Sequence, residues 1–135
     1  MLKKIFLPGN DSALTNLALL VLRLWLGAAM FFNHGLDKLI HFNSIAPHFP
    51  DPLHIGHPVS LALALTAEAI GSVLLVVGLL TRLAALLLVI DMFVAFLMVH
   101  KAAMSGGHSG ELPFIYLSGF VTLLLAGGGM ISMDM

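Results

Sequence analysis

The chain has 135 residues, 59% of them hydrophobic and only 10% charged, with a formal net charge of −1 and no cysteine. Soluble domains carry roughly 25% charged residues, so this chain has too little polar surface to dissolve as a globule, and a mean hydropathy of +1.03 makes lipid the solvent for most of it. The charge balance gives nucleic acid nothing to hold, and the missing thiols exclude disulfides, thiolate catalysis and Cys-bound iron–sulfur clusters.

At the start, Lys3 and Lys4 precede a short apolar patch broken by Pro8, Gly9 and Asn10. The patch is shorter than a signal-peptide core of ~7–15 residues and no cleavage site follows it, so it is expected to be an interfacial lead-in rather than a removed segment. A bilayer-spanning helix needs about 20 mostly apolar residues. The first such stretch is 14–33, with Asp11 or Ser12 as its N-cap. A long connector, 35–57, follows; Pro47, Pro50 and Pro52 keep much of it from being regular helix. The second span is 59–80, entered through Pro58, and the third follows almost at once at 81–100, which makes the two antiparallel neighbours. After a Ser105–Gly110 turn, the fourth span is 113–131, its apolar run reaching full length only if it passes through Gly127–Gly129.

The expected fold class is therefore all-α and integral to the membrane: one transmembrane domain covering 1–135, built as a four-transmembrane-helix bundle. Lys3, Lys4 and Arg82 lie on one side, Lys38 and Lys101 on the other. This small bias favours both termini in the cytoplasm and the histidine-bearing connector outside.

Three ionisable residues fall inside the spans. At ~1.5 Å per residue, Arg23 and Asp91 lie roughly 14 Å and Glu68 roughly 18 Å from the inner ends of their helices. A charge in the bilayer centre costs about 2.5–3.5 kcal/mol, so three at matching depth are expected to pair. The planar fork of Arg23 can serve both carboxylates, and one acid then carries or shares a proton, the pattern of a proton-handling site. The competing explanation is that Arg23, Glu68 and Asp91 only glue the bundle together.

At ~100° per residue, Arg23, Gly27, His34, Asp37 and Lys38 share one broad face of the first helix. His34 and Lys38 would stack above Arg23, level with His100, Lys101 and Glu111. These residues read either as a polar vestibule leading inward or as an ordinary charged rim. His41, His48, His54, His57 and His108 match no zinc spacing and bring no cysteine; they are expected to be solvated loop histidines, with no metal site. Gly27, Gly71 and Gly78 are expected at close helix contacts, and the methionines as lipid-facing residues or core filler.

The order Leu22-Arg23-Leu24-Trp25-Leu26-Gly27, Asn33-His34-Gly35-Leu36-Asp37-Lys38, Glu68-Ala69-Ile70-Gly71 and Gly78-Leu79-Leu80-Thr81-Arg82, with Glu111 and the run Gly127 to Asp134, resembles the DoxX family of small bacterial membrane proteins along nearly the whole chain. The resemblance implies a four-helix fold and a multi-pass protein of the bacterial cytoplasmic (inner) membrane. Relatives include a subunit of a thiosulfate:quinone oxidoreductase, a membrane partner in an oxidative-stress complex, and proteins linked to quinone or catechol stress; many have no assigned activity. The leading expectation is thus a membrane subunit of a redox system that binds a quinone-like molecule between its helices. Arg23 and His34 would bond its oxygens, Glu68 or Asp91 would exchange protons, and Lys38, His100 and Glu111 would line the outer approach. Electrons would come from a partner redox protein, so the chain is at most one subunit of an oxidoreductase. A small proton-coupled transporter, which would need a homo-oligomer, and a non-catalytic scaffold for other membrane proteins are the alternatives.

Overall fold

The computed structural model describes residues 12–134, all helix, turn and loop. The lead-in at Met1–Pro8 and Asp11 as a cap lie outside the described residues. Helix α1 runs Ser12–Ile40, α2 is the short Phe42–Ile45 with a 3-10 turn Ala46–His48 behind it, α3 is His57–Val77, α4 Thr81–Val99 and α5 Glu111–Ala126. Three helices, α1, α3 and α4, are long and apolar enough to cross a membrane, with mean hydropathies of 1.7, 2.1 and 2.4. The fourth, α5, is apolar but has 16 residues.

Helix ends depart from the sequence expectation for local reasons. The first span was expected at 14–33 with a connector from 35 onward, yet α1 continues to Ile40 and, after a turn at His41, a short helix runs Phe42–Ile45. No proline occurs between Ser12 and Pro47, and Gly35 is an ordinary helical residue with φ −64°. The glycine is there for contact, not for breaking: a Cβ on it would lie 2.9 Å from Ala69 Cα. The second span ends at Val77 rather than 80, because Gly78 takes φ +74° and its N–H and that of Leu79 close back on the Leu74 carbonyl. The fourth ends at Ala126 rather than 131, where Gly127 turns to φ +80°.

Helices α1 and α3 pack antiparallel through small residues. Gly27 sits so close to α3 that a Cβ would come 2.6 Å from Val76 Cγ2 and 3.1 Å from the Ser72 carbonyl, the close approach that membrane helices need when no water drives them together. Met30, Leu75, Ala84, Ala85, Leu88, Met92, Tyr116, Phe120 and Leu123 form the core between α1, α3, α4 and α5. Outward-facing Trp25, Leu63, Ile70, Ile90 and Leu125 are more than half exposed, as expected of a surface solvated by lipid.

Beyond α5 the chain folds back along the start of α1. The Met130 N–H donates to Asn16 Oδ1 and the Ile131 carbonyl accepts from Arg23 Nη2 at 2.6 Å. Asp134 then accepts the Leu80 and Thr81 amides at 2.6 and 2.8 Å. A residue 53 positions away thus caps α4, whose own flanking residues offer no side-chain cap.

Candidate functional site

Three of the helices widen for a single turn of π-helix, at Phe31–Gly35 in α1, Thr66–Gly71 in α3 and Ala95–Val99 in α4. Such turns insert one residue into the helical repeat and occur often at functional sites. The first carries His34, the second carries Glu68, and the third delivers His100 immediately after its last residue. The α1 and α3 turns touch at Gly35, where only a hydrogen lies between the two backbones. That contact sets Lys38, one helical turn past His34, over α3, and its Nζ bonds Glu68 Oε1 at 2.9 Å. The pair is largely out of solvent, with side chains 16% and 4% exposed.

Around this pair is a chamber of about 340 Å³. Its polar wall is His34 and Lys38 from α1, Glu68 from α3, Asp91 and His100 from the α4 segment, and Tyr116 from α5, with Phe49 and Pro50 of the connector closing one side. His34 and Tyr116 meet edge to face at 5.7 Å between ring centroids, and Tyr116 stacks in turn on Phe120. No hydrogen bond from a described side chain reaches the Asp91 carboxyl, which lines the chamber. At the mouth, His100 donates Nδ1–H to the His108 carbonyl at 3.1 Å, and the two imidazoles lie 5.9 Å apart.

The pairing expected of Arg23 is corrected. Because Gly27 lies opposite Ser72 and Val76, and Gly35 opposite Ala69, Arg23 falls beside the Gly78 turn at the far end of α3. Glu68 is ten residues before that turn, about 15 Å away along the helix. The error came from counting depth from the start of a helix that extends past its neighbours. Arg23 is 1% exposed and bonds the tail carbonyl of Ile131; its Nε and Nη1 make no hydrogen bond among the described residues. A Cβ on Gly78 would collide with its Nη1. Lys38 fills the role assigned to the arginine.

Of the other expected residues, Glu111 opens α5 on the exposed surface and does not line the chamber. Tyr116 was missed. It is the one tyrosine in the chain, on a buried stripe with Pro113, Phe120 and Leu123 whose 3–4 residue spacing is hidden by an almost wholly apolar helix.

The connector histidines act within the loop. His57 donates Nδ1–H to the Phe49 carbonyl, and His41 donates to the Asp37 carboxylate at 3.1 Å. No group of three metal-binding side chains gathers among the described residues. Asp51 organises the rest of the connector by accepting the Ile55 and Gly56 amides and the Ser60 hydroxyl at 2.8–3.0 Å. Partial burial works against its charge, but these three donors hold the carboxyl below the ordinary carboxylate range. Contact with Thr81, the Leu80 amide and the nearby Arg23 charge do the same for Asp134, against the opposing effect of burial.

A family model described as DoxX matches residues 18–101, more than half of the chain. Two uncharacterized proteins of Haemophilus influenzae are similar. One is 31% identical over 112 residues, covering 79% of this chain and 81% of its own; the other is 35% identical over 128 residues, covering 89% and 83%. No solved structure matches. The matched region holds Arg23, His34, Lys38, Glu68, Asp91 and His100, while Tyr116, Glu111 and the Asp134 cap lie beyond it.

Proposed function

The chain belongs to the DoxX family of membrane proteins, and on that premise we propose that it is the membrane subunit of a redox system, binding a quinone-like small molecule in the chamber between α1, α3, α4 and α5. The observation that carries this is the Lys38–Glu68 pair on the wall of a 340 Å³ cavity, with His34, Asp91, His100 and Tyr116 around the same space. Structural glue would close over its polar groups; here they face a cavity.

The chemistry follows from the donor set. A quinone presents two carbonyl oxygens, and the Lys38 ammonium and the His34 imidazole are hydrogen-bond donors set one helical turn apart. Reduction to the quinol adds two electrons and two protons. The electrons come from a partner redox protein, since the chain has no cysteine for a thiol relay or a Cys-bound cluster. The protons pass through carboxyl groups, for which Glu68 and Asp91 stand in place. His100, at the mouth, is where the chamber meets the aqueous side.

Topology completes the proposal. Helix α5 is a fourth span, about 24 Å long at ~1.5 Å per residue, short for a hydrocarbon core of ~30 Å and met by local thinning of the bilayer. Both termini are then cytoplasmic, the chamber mouth faces outward, and the membrane is the bacterial cytoplasmic one. The test is calorimetric titration of the detergent-purified protein with a ubiquinone analogue. Saturable binding is expected, weakened about tenfold, or ~1.4 kcal/mol, by Lys38→Met and unaltered by Glu111→Gln. No saturable binding, or equal binding by Lys38→Met, overturns the proposal.

A further inference from the structure

A second cavity of about 260 Å³ adjoins the chamber. Leu63 and Ala67 of α3 face Leu87, Ile90 and Val94 of α4 across it, and Pro52, Leu53 and Ile55 of the connector roof it. Its walls are apolar but for Ser60 and Asp91, and the Ser60 hydroxyl is already given to Asp51 at 2.8 Å. Leu63 and Ile90, at 57% and 53% exposure, leave the groove open on the side where α3 and α4 face lipid.

Two features set this groove apart from a bare helix surface. Its roof is built: Asp51 ties together Ile55, Gly56 and Ser60, and His57 ties back to Phe49. Further, it shares a wall with the polar chamber, since Phe49, Pro50, Ala64, Asp91, Ala95 and Val99 line both. Phe49 stands at the junction, its ring 6.0 Å from Lys38 Nζ.

We infer that the groove between α3 and α4 holds the apolar tail of a membrane-borne ligand whose polar head occupies the chamber. This rests on the proposed function and narrows it. The ligand class is a lipid-soluble amphiphile with an isoprenoid or alkyl tail, and it enters sideways from the bilayer past Asp91. A water-soluble aromatic entering at His100 would leave the groove unused. Moving a tail from lipid into this groove changes its surroundings little, because lipid is as apolar as the groove. Selection therefore comes from having a slot continuous with the head site, and closing the slot should exclude tailed ligands alone.

The experiment uses the full chain in lipid nanodiscs with two probes, tail-less dimethoxy-methyl-benzoquinone and its decyl derivative, each affinity corrected for partition into the bilayer. Val94→Trp fills the groove without touching the chamber wall. It is expected to weaken decyl binding about tenfold, or ~1.4 kcal/mol, and to leave the tail-less probe unchanged, which also shows that the variant is folded. Should Val94→Trp fail to fold, Leu63→Trp fills the groove from the opposite wall and is read in the same way. Decyl binding that survives a folded groove variant overturns the tail assignment. If Lys38→Met still weakens both probes, the head chamber stands without it; if neither probe binds the unaltered protein saturably, both proposals fall.

Discussion

Lys38 and Glu68 offer the sharpest test of how this bundle handles charge. Lys38→Met removes the cation from a pair whose carboxylate side chain is only 4% exposed, leaving that carboxylate without its hydrogen-bond donor. Breaking a buried pair costs about 3–5 kcal/mol. The lysine is 16% exposed and borders a cavity, which places the penalty near the lower end, about 3 kcal/mol or roughly a 150-fold loss in the folded-to-unfolded ratio. Glu68→Met strands the lysine instead, and the double change removes both charges while keeping the volume. Such apolar replacements are often neutral or stabilising, so the double variant should lie within about 1 kcal/mol of the parent, far from the sum of the two single losses. Reversible unfolding in mixed micelles, followed by circular dichroism, reads all four corners of the cycle. Lys38→Met as stable as the parent, or a double variant as unstable as the two single losses added, would refute the pairing as the main constraint on these side chains.

Asp134→Asn weakens the cap on α4. Loss of a capping carboxylate costs about 1 kcal/mol. Because the folded carboxyl is held below its ordinary value, the difference from the parent should be present above about pH 4, the unfolded value, and vanish as pH falls through the folded value; thermal melts in steps from pH 7 downward check this, and a gap that does not shrink in acid would count against it. Gly35→Ala puts a methyl 2.9 Å from Ala69 Cα, a backbone contact that cannot give way by changing rotamer. An overpacking cost of about 1–3 kcal/mol is expected, together with weaker ligand binding, since the same contact sets Lys38 over Glu68; unchanged melting would show that α1 and α3 can separate freely there.

The three long apolar helices were legible because membrane thickness dictates about 20 residues per span, α5 was legible as a shorter apolar run, and the i, i+4 relation of His34 and Lys38 survived into the chamber. The ends of the helices were not legible. Gly35, where the connector was expected to begin, lies inside α1 and serves as a contact with α3, because whether a glycine breaks a helix depends on what packs against it. Arg23 was placed by counting from a helix start, yet its level is set by Gly27 meeting Ser72 and Val76, a long-range register that no local pattern encodes. The π-turns at Phe31–Gly35, Thr66–Gly71 and Ala95–Val99 each insert a residue into the repeat, so regular 100° steps do not carry across His34, Glu68 or the approach to His100. The return of the tail to Asn16, Arg23 and Leu80 joins residues more than fifty positions apart.

The intramembrane charges divide by what surrounds them. Arg23 is packed against Gly78 and donates to a main-chain carbonyl of the tail; with Asp134 it ties α1, the α3–α4 turn and the C-terminal segment into one end of the bundle. Glu68 and Asp91 lie near the middle of α3 and α4, with Lys38 bonded to Glu68 and a cavity in front of both carboxyl groups. A structural pair gains nothing from a second acid beside it, since a like charge nearby disfavours ionisation of both. A site that must hold a polar ligand and exchange protons with it gains by having one carboxyl engaged and one free. Asp91 is therefore the residue on which the structural and functional accounts diverge: Asp91→Leu should leave a purely structural bundle as stable as before or more so, while removing the proton exchange that accompanies ligand reduction.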